Sequence, residues 1–180
     1  MYAVIAVFDE ETNKEIRRIW HSLAQENISH YGMEIPNRRP HITLASYENI
    51  ADMPKFEEIL SQFCARQPVL NIRFSMLGTF LKSRVLGLFP TVTDELYHLH
   101  RDIHQALSVL GDEASLYHPD KWTPHCTLVN RVSDSNLERA YAYCQKYFEP
   151  FSTQLTELIV LQFHTSQEIE EIYRFPLQKY

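Results

Sequence analysis

At 180 residues, 44% of them hydrophobic and 22% charged, the chain is long enough to bury one substantial core, or two small lobes sharing one. A net charge of −6 at pH 7 argues against a protein that coats long nucleic acid, where basic surface supplies most of the affinity, but leaves room for a site gripping one or two phosphates. Three widely spaced cysteines (Cys64, Cys126, Cys144) form neither a disulfide framework nor a paired zinc knuckle, which points to a reducing cytoplasm, and no apolar run approaches a bilayer span.

Residues 2–8 are apolar, β-branched and aromatic, with neither a basic leader nor a small-residue cleavage site, and predict a first strand. Thr12-x-x-Glu15 has the form of a capping box, and Ile16, Ile19, Trp20 and Leu23 follow at helical spacing, predicting an amphipathic helix to about Asn27. Residues 30–39 read as a polar loop, and Pro40 opens a strand over 41–47. A second helix starts near Asp52, with Pro54 in its first turn and Met53, Phe56, Ile59, Leu60 and Phe63 on its buried face. Strands over 69–81 and 85–91 flank a short turn at Lys82-Ser83.

Thr93, followed by Asp94 and Glu95, then starts a third helix with Leu96, Leu99, Ile103 and Leu107 as its buried stripe and Gly111 as its stop. A loop covers 112–123 and a strand 125–130. Ser135-x-x-Glu138 caps a fourth helix carrying Leu137, Ala140, Tyr141, Cys144 and Phe148. Strands over 151–164 and 172–177 close the chain as antiparallel neighbours.

The chain writes one short string twice. Pro40-His41-Ile42-Thr43-Leu44 returns as Pro124-His125-Cys126-Thr127-Leu128, with the second histidine 84 positions after the first. The same offset carries strand 2–8 onto 86–92, Ile19 and Leu23 onto Ile103 and Leu107, and Met53 onto Leu137. This predicts a single bilobal domain over 1–180, built by duplication of 1–81 as 84–165, with a final strand near 172–177. The expected fold class is α+β: each lobe an antiparallel-rich sheet with helices packed outside, and the two His-x-Thr strands facing a central cleft.

Along a strand, side chains alternate between faces, so His and Thr two apart point the same way while Ile42 and Leu44, or Cys126 and Leu128, enter a core. One such tetrapeptide describes any strand with a polar face. Two, each preceded by proline and set in equivalent slots, describe a site. Opening a cyclic phosphate needs a base for water and an acid for the departing ribose oxygen, and histidine serves as either near neutrality. Two threonine hydroxyls would stabilise charge on the non-bridging oxygens. Cys126 alternates away from His125 and reads as buried and inert.

Rival features carry less. His100 and His104 have the i, i+4 spacing of a two-histidine metal site, but the apolar stripe already claims the buried face, so a solvated or partly packed face is expected and no metal is assigned. Arg38, Arg39, Lys82, Arg84, Lys121 and Arg131 sit in loops beside the motif strands, and Tyr117 and Trp122 precede the second motif, where an aromatic ring can stack on a base. Of these, Arg39, Tyr117, Lys121, Trp122 and Arg131 are candidate substrate contacts.

The paired His-x-Thr-Leu motifs in a duplicated α+β chain of this length resemble the 2H phosphoesterase superfamily, and within it the 2′-5′ RNA ligase-like, or LigT-like, proteins. The resemblance implies His41 and His125 as acid and base, Thr43 and Thr127 as phosphate holders, and no metal or other cofactor; by the resemblance alone His125 is the base and His41 the acid. The implied activity is a metal-independent cyclic phosphodiesterase, or the reverse ligation, acting on 2′,3′-cyclic phosphates or 2′-5′ linkages. The implied partner is a small nucleotide or RNA terminus in the cytoplasm, not a long duplex or a membrane. The alternative is a module on the same fold that binds a nucleotide or RNA end without turnover.

Overall fold

Apart from the last hairpin, each strand is held by a neighbour far away in sequence, and the long strand β6 (Phe151–Phe163) organises them. In the computed structural model, which describes residues 1–110, 116–166 and 168–179, β6 pairs antiparallel with β1 (Tyr2–Phe8) over 155–162. Its first residues pair with β3 (Leu70–Thr79), and its later ones with β7 (Ile169–Pro176). The expected helix stop Gly111 and the first residues of the 112–123 loop lie outside the described residues.

Adding β2 (His41–Tyr47), β4 (Leu86–Pro90) and β5 (Cys126–Val129) gives a sheet ordered β2-β1-β6-β3-β4-β5, with β7 beside β6. All these pairings are antiparallel, and four helices complete an α+β fold among the described residues: α1 (Glu10–Gln25), α2 (Met53–Cys64), α3 (Asp94–Leu107) and α4 (Asp134–Tyr147). None of these helices is long and apolar enough to cross a membrane.

Alternation along β1 divides its residues between two apolar clusters. Val4, Ala6 and Phe8 join the main core, where Ile16 and Leu23 of α1, Phe56 and Leu60 of α2, Ile103 and Leu107 of α3 and Cys144 of α4 all meet. Ala3, Ile5 and Val7 face the other way and form a smaller cluster with Ile159 and Leu161 of β6. Helices therefore cover one face of the sheet, and the motif residues occupy the other.

The two motif strands lie at opposite ends of the strand order, yet β2 and β5 touch. The sheet must curl until its two edges meet. Each edge strand also carries a bulge at the equivalent place. The register jumps from Val4↔Ala45 to Ile5↔Thr43, passing over Leu44, and from Leu86↔Val129 to Gly87↔Thr127, passing over Leu128. A bulge bends a strand and raises its twist, which suits an edge that must turn inward.

Several local expectations shift by a few residues. Asp9, not Thr12, caps α1: one carboxylate oxygen accepts from Thr12 N at 2.9 Å, and the other accepts from Thr153 Oγ1 at 2.7 Å and Gln154 N at 3.0 Å. The cap thus also pins the helix to β6, and Thr12 is buried behind it. Ser133, not Ser135, caps α4, and Tyr141 on that helix is exposed. Residues 31–33 form a 3₁₀ turn where a polar loop was expected, with Tyr31 and Ile35 buried in the main body.

That turn admits no side chain at its centre. A Cβ on Gly32 would lie 2.3 Å from Cγ of Trp20, whose ring packs edge-on against Tyr31 at 5.8 Å. Gly32→Ala is therefore expected to lower unfolding stability by about 1–3 kcal/mol, the usual cost of overpacking, read as a fall in the urea midpoint. An unchanged midpoint would mean that the Trp20 ring can move aside freely.

Candidate active site

The curl of the sheet leaves a cavity of about 1540 Å³ whose lining includes His41, Thr43, His125 and Thr127. On β2 the burial alternates as expected: Ile42 and Leu44 are fully buried, while His41 and Thr43 are half-buried on the cavity side. The second motif repeats this with Cys126 and Leu128 inside and Thr127 on the cavity. His125 lies one residue before β5 begins, whereas a strand from 125 was expected.

Both histidines are anchored alike. Nδ1 of His41 donates to the carbonyl of Arg39 at 2.7 Å, and Nδ1 of His125 donates to the carbonyl of Thr123 at 2.9 Å. A carbonyl oxygen only accepts, so each Nδ1 must carry the proton. The tautomer is thereby fixed, leaving Nε2 as the nitrogen that can exchange a proton with a ligand.

Their surroundings differ. Burial pushes the His41 imidazole down to about 4, helped by the Arg38 guanidinium and by His125, and opposed by the bond to Arg39. Burial also lowers His125, opposed by its bond to Thr123. The His125 ring meets Phe80 edge-on at 4.8 Å and stacks on Phe89 at 5.8 Å, faces that welcome an imidazolium when it forms. A Cβ on Gly87 would be in ordinary contact with that of His125 at 3.6 Å, and tight only against the Cys126 carbonyl oxygen at 3.1 Å.

Sequence reasoning selected Arg39 as a contact, but Arg38 is the more informative neighbour. Arg39 lines the cavity with its Nε donating to Glu171 Oε1 at 2.6 Å. Arg38 also lines it, with its side chain only 11% exposed and its guanidinium 4.1 Å from the centre of the Tyr31 ring. Its nearest carboxylate, on Glu34, is 3.9 Å away, and its Nε is buried with no partner among the described residues. Tyr31 in turn shares a hydrogen bond with the Thr127 side chain, and burial raises its phenol so that the proton stays on. Nothing in the local pattern of residues 30–39 marks Tyr31 as buried; its proximity to Trp20 and Thr127 is purely tertiary.

Of the other candidates, Tyr117, Lys121 and Arg131 line the cavity, the last holding Glu34 at 2.6 Å. Arg84 instead pairs with Asp134 at the start of α4. Trp122 is turned toward the protein: its indole stacks on His100 at 3.7 Å and its Nε1 donates to the Thr43 carbonyl at 2.9 Å. His100 and His104 are buried, not solvated, with both Nε2 atoms within 3.0 Å of the Leu44 carbonyl. The two Nε2 atoms also lie 3.1 Å from each other, so both are engaged within the protein by carbonyls and by one another. Burial pushes the Cys126 thiol up to about 12, which makes it inert as a nucleophile.

The influence of Arg38 on His41 is measurable. In Arg38→Gln the His41 pKa should rise from about 4, because removing a nearby cation favours the protonated ring, while burial still holds it below a free histidine. An NMR titration reads this directly, and an unmoved His41 would show that burial alone sets its charge.

Comparison with known proteins agrees with this architecture. No curated protein matches the chain in sequence. Solved structures do match its fold. LigT from E. coli, complexed with NADP+, superposes with a TM-score of 0.61 at 18% identity, covering 98% of this chain and 96% of that one. The same protein complexed with 3′-AMP gives 0.60 at 21% identity, with 98% and 97% covered. TT0787 of Thermus thermophilus gives 0.63 at 15% identity, covering 98% of each chain. A sequence profile of the 2′-5′ RNA ligase superfamily matches residues 8–167, a span that holds both motifs and strands β2 to β6, and the chain belongs to that superfamily.

Proposed function

We propose that this chain is a metal-independent phosphoesterase of the 2H type, opening 2′,3′-cyclic phosphates or cleaving 2′-5′ linkages at RNA ends or in nucleotides, and joining them in reverse. The observation that carries the proposal is one cavity lined by two histidines of fixed tautomer and by the threonine paired with each. A site that only bound phosphate would not need two groups able to trade protons. Family membership supports phosphoester chemistry, and E. coli LigT has been solved with 3′-AMP, ATP and NADP+, which supports a small nucleotide or RNA terminus as ligand.

In the hydrolytic direction one imidazole removes a proton from water as its oxygen bonds to phosphorus. The other gives a proton to the ribose oxygen as the P–O bond breaks. Thr43, Thr127 and the charge of Arg38 stabilise the non-bridging oxygens. We assign the base to His125 and the acid to His41, following the family resemblance. Burial, with a smaller contribution from Arg38, keeps His41 neutral. A bound phosphate offsets the guanidinium and adds negative charge beside His41, so binding itself supplies the proton preference that the acid needs. With a 5′-hydroxyl in place of water, the same sequence joins two ends: its oxygen bonds to phosphorus as one imidazole takes its proton, and the ribose oxygen leaves with a proton from the other.

The same reading takes the chain as one bilobal domain made by duplication, 1–81 and 84–165. It works in a reducing cytoplasm, where its three buried thiols stay free.

The test is turnover of 2′,3′-cyclic nucleotides, ADP-ribose cyclic phosphate and 2′-5′ oligonucleotides with chelator present. His41→Ala and His125→Ala should each lower kcat by about 10²–10⁴-fold, the usual contribution of general acid–base catalysis. Arg38→Ala should raise KM roughly tenfold or more, as expected for loss of a charge-assisted phosphate contact. Activity abolished by chelator would overturn the metal-free mechanism, and either alanine variant retaining full activity would overturn the two-histidine assignment. Tight binding of every substrate without turnover would leave the binding module as the correct description.

A further inference from the structure

We propose that His100 is a positioning residue for the active site, whose single ring N–H ties the strand of the first motif to the loop that leads into the second. The proposal builds on the two-histidine reading above. It starts from the bulge in β2. Leu44 is passed over in the pairing with β1, on a strand whose other edge pairs with no strand among the described residues, so its buried carbonyl needs a donor from elsewhere. Two imidazoles supply one. His104 Nε2 lies 2.9 Å from that oxygen and His100 Nε2 lies 3.0 Å away, both from the same face of α3.

His100 does more than its neighbour. Its Nε2 also lies 2.9 Å from the carbonyl of Tyr117, so one N–H is shared between the motif strand and the cavity loop. The face of its ring is occupied as well: the Trp122 indole stacks on it at 3.7 Å with only 3° between the planes. The stacked indole donates to the Thr43 carbonyl at 2.9 Å. The residue after Trp122 is Thr123, whose carbonyl holds Nδ1 of His125. From His100, therefore, one short path of contacts reaches the backbone of the first threonine, and another reaches the tautomer of the second histidine.

Packing alone would not favour this residue. His100 is 0% exposed, and its Nδ1 is buried with no partner among the described residues. A phenylalanine would fill the space and stack on Trp122 without leaving a nitrogen unsatisfied. What the imidazole adds is the N–H between Leu44 and Tyr117. Burial also pushes His100 down to about 4, with His104 next among the causes, so the ring stays neutral at pH 7.

The experiment compares the full-length protein with His100→Phe and His100→Gln. Each is followed by kcat and KM on a 2′,3′-cyclic nucleotide, and by ¹⁵N NMR of the His125 tautomer. His100→Phe should lose about tenfold to a hundredfold in kcat, the scale of a misplacement near an ångström, and the His125 ring should become a mixture of tautomers. His100→Gln, whose amide N–H can take the place of Nε2–H, should recover most of both. A folded Phe variant with kcat and KM within about twofold of wild type and an unchanged His125 tautomer overturns the proposal, as does a Gln variant no better than Phe. If the Phe variant does not fold, His100→Gln is compared with Trp122→Phe, which keeps a stacked ring but loses the bond to Thr43. Near-wild-type kcat in His100→Gln and a loss in Trp122→Phe support the coupling, and equal kcat in all three proteins overturns it. Should wild type turn over none of these phosphodiesters, the functional reading fails by itself, while the His125 tautomer in the variants still decides the role of His100.

Discussion

Both motifs lie on edge strands, and the backbone of an edge strand has to find partners outside the sheet. Here the two edges answer each other. β2 and β5 end opposite sides of one strand order, the sheet curls until they touch, and side chains from the second half reach across. His100, His104 and Trp122 take the carbonyls of Leu44 and Thr43. The cavity follows from this closure, because the cleft face of each motif strand is then turned toward the other. Flatten the sheet, and His41 and His125 belong to two unrelated surfaces.

Closure also sets the electrostatics. Bringing two histidines, Arg38 and the Tyr31 phenol into one partly enclosed space penalises positive charge on the rings, and His41 falls to about 4 chiefly through burial. A site of this kind favours neutral imidazoles beside a guanidinium whose ion-pair partner among the described residues, Glu34, stays 3.9 Å away. In the mechanism proposed above, a single phosphate would neutralise Arg38, meet the threonine hydroxyls and restore a proton to one ring. This local arrangement coexists with an overall charge of −6, which disfavours long polyanions but not the single phosphoryl group of the proposed function.

The parts of the fold written locally were legible in the sequence. Strand alternation over His41–Leu44, the stripe of Ile16, Ile19, Trp20 and Leu23, and the cap at Thr93 depend on residues a few positions apart, and the structure has them where the pattern put them. Choices between near neighbours were less legible. Asp9 displaces Thr12 as a cap because its second oxygen is held by Thr153 and Gln154, 144 and 145 residues away. The candidate site shows the same division. Which residues alternate toward the cleft could be read from the motifs. That Arg39 would face Glu171, that Arg38 would lie over Tyr31, and that Trp122 would turn inward onto His100 could not, since each depends on a contact across the chain.

One consequence of the closure is mechanical. The first motif offers its histidine from the end of β2, anchored by the carbonyl of Arg39, and the second offers its own from just before β5, anchored by the carbonyl of Thr123. Each ring is thus oriented by the segment leading into its strand. The separation between the two Nε2 atoms must then follow any movement of residues 38–40 relative to 122–124. The contacts that oppose such movement come from Trp122 and His100 on one side, and from the Tyr31–Thr127 bond on the other. The proposed in-line displacement at phosphorus needs base and acid on opposite sides of the same atom, so its tolerance would be set by this separation. A site assembled from two edges of one curled sheet can meet that tolerance only if the edges are cross-tied, and the buried residues behind the motifs tie them.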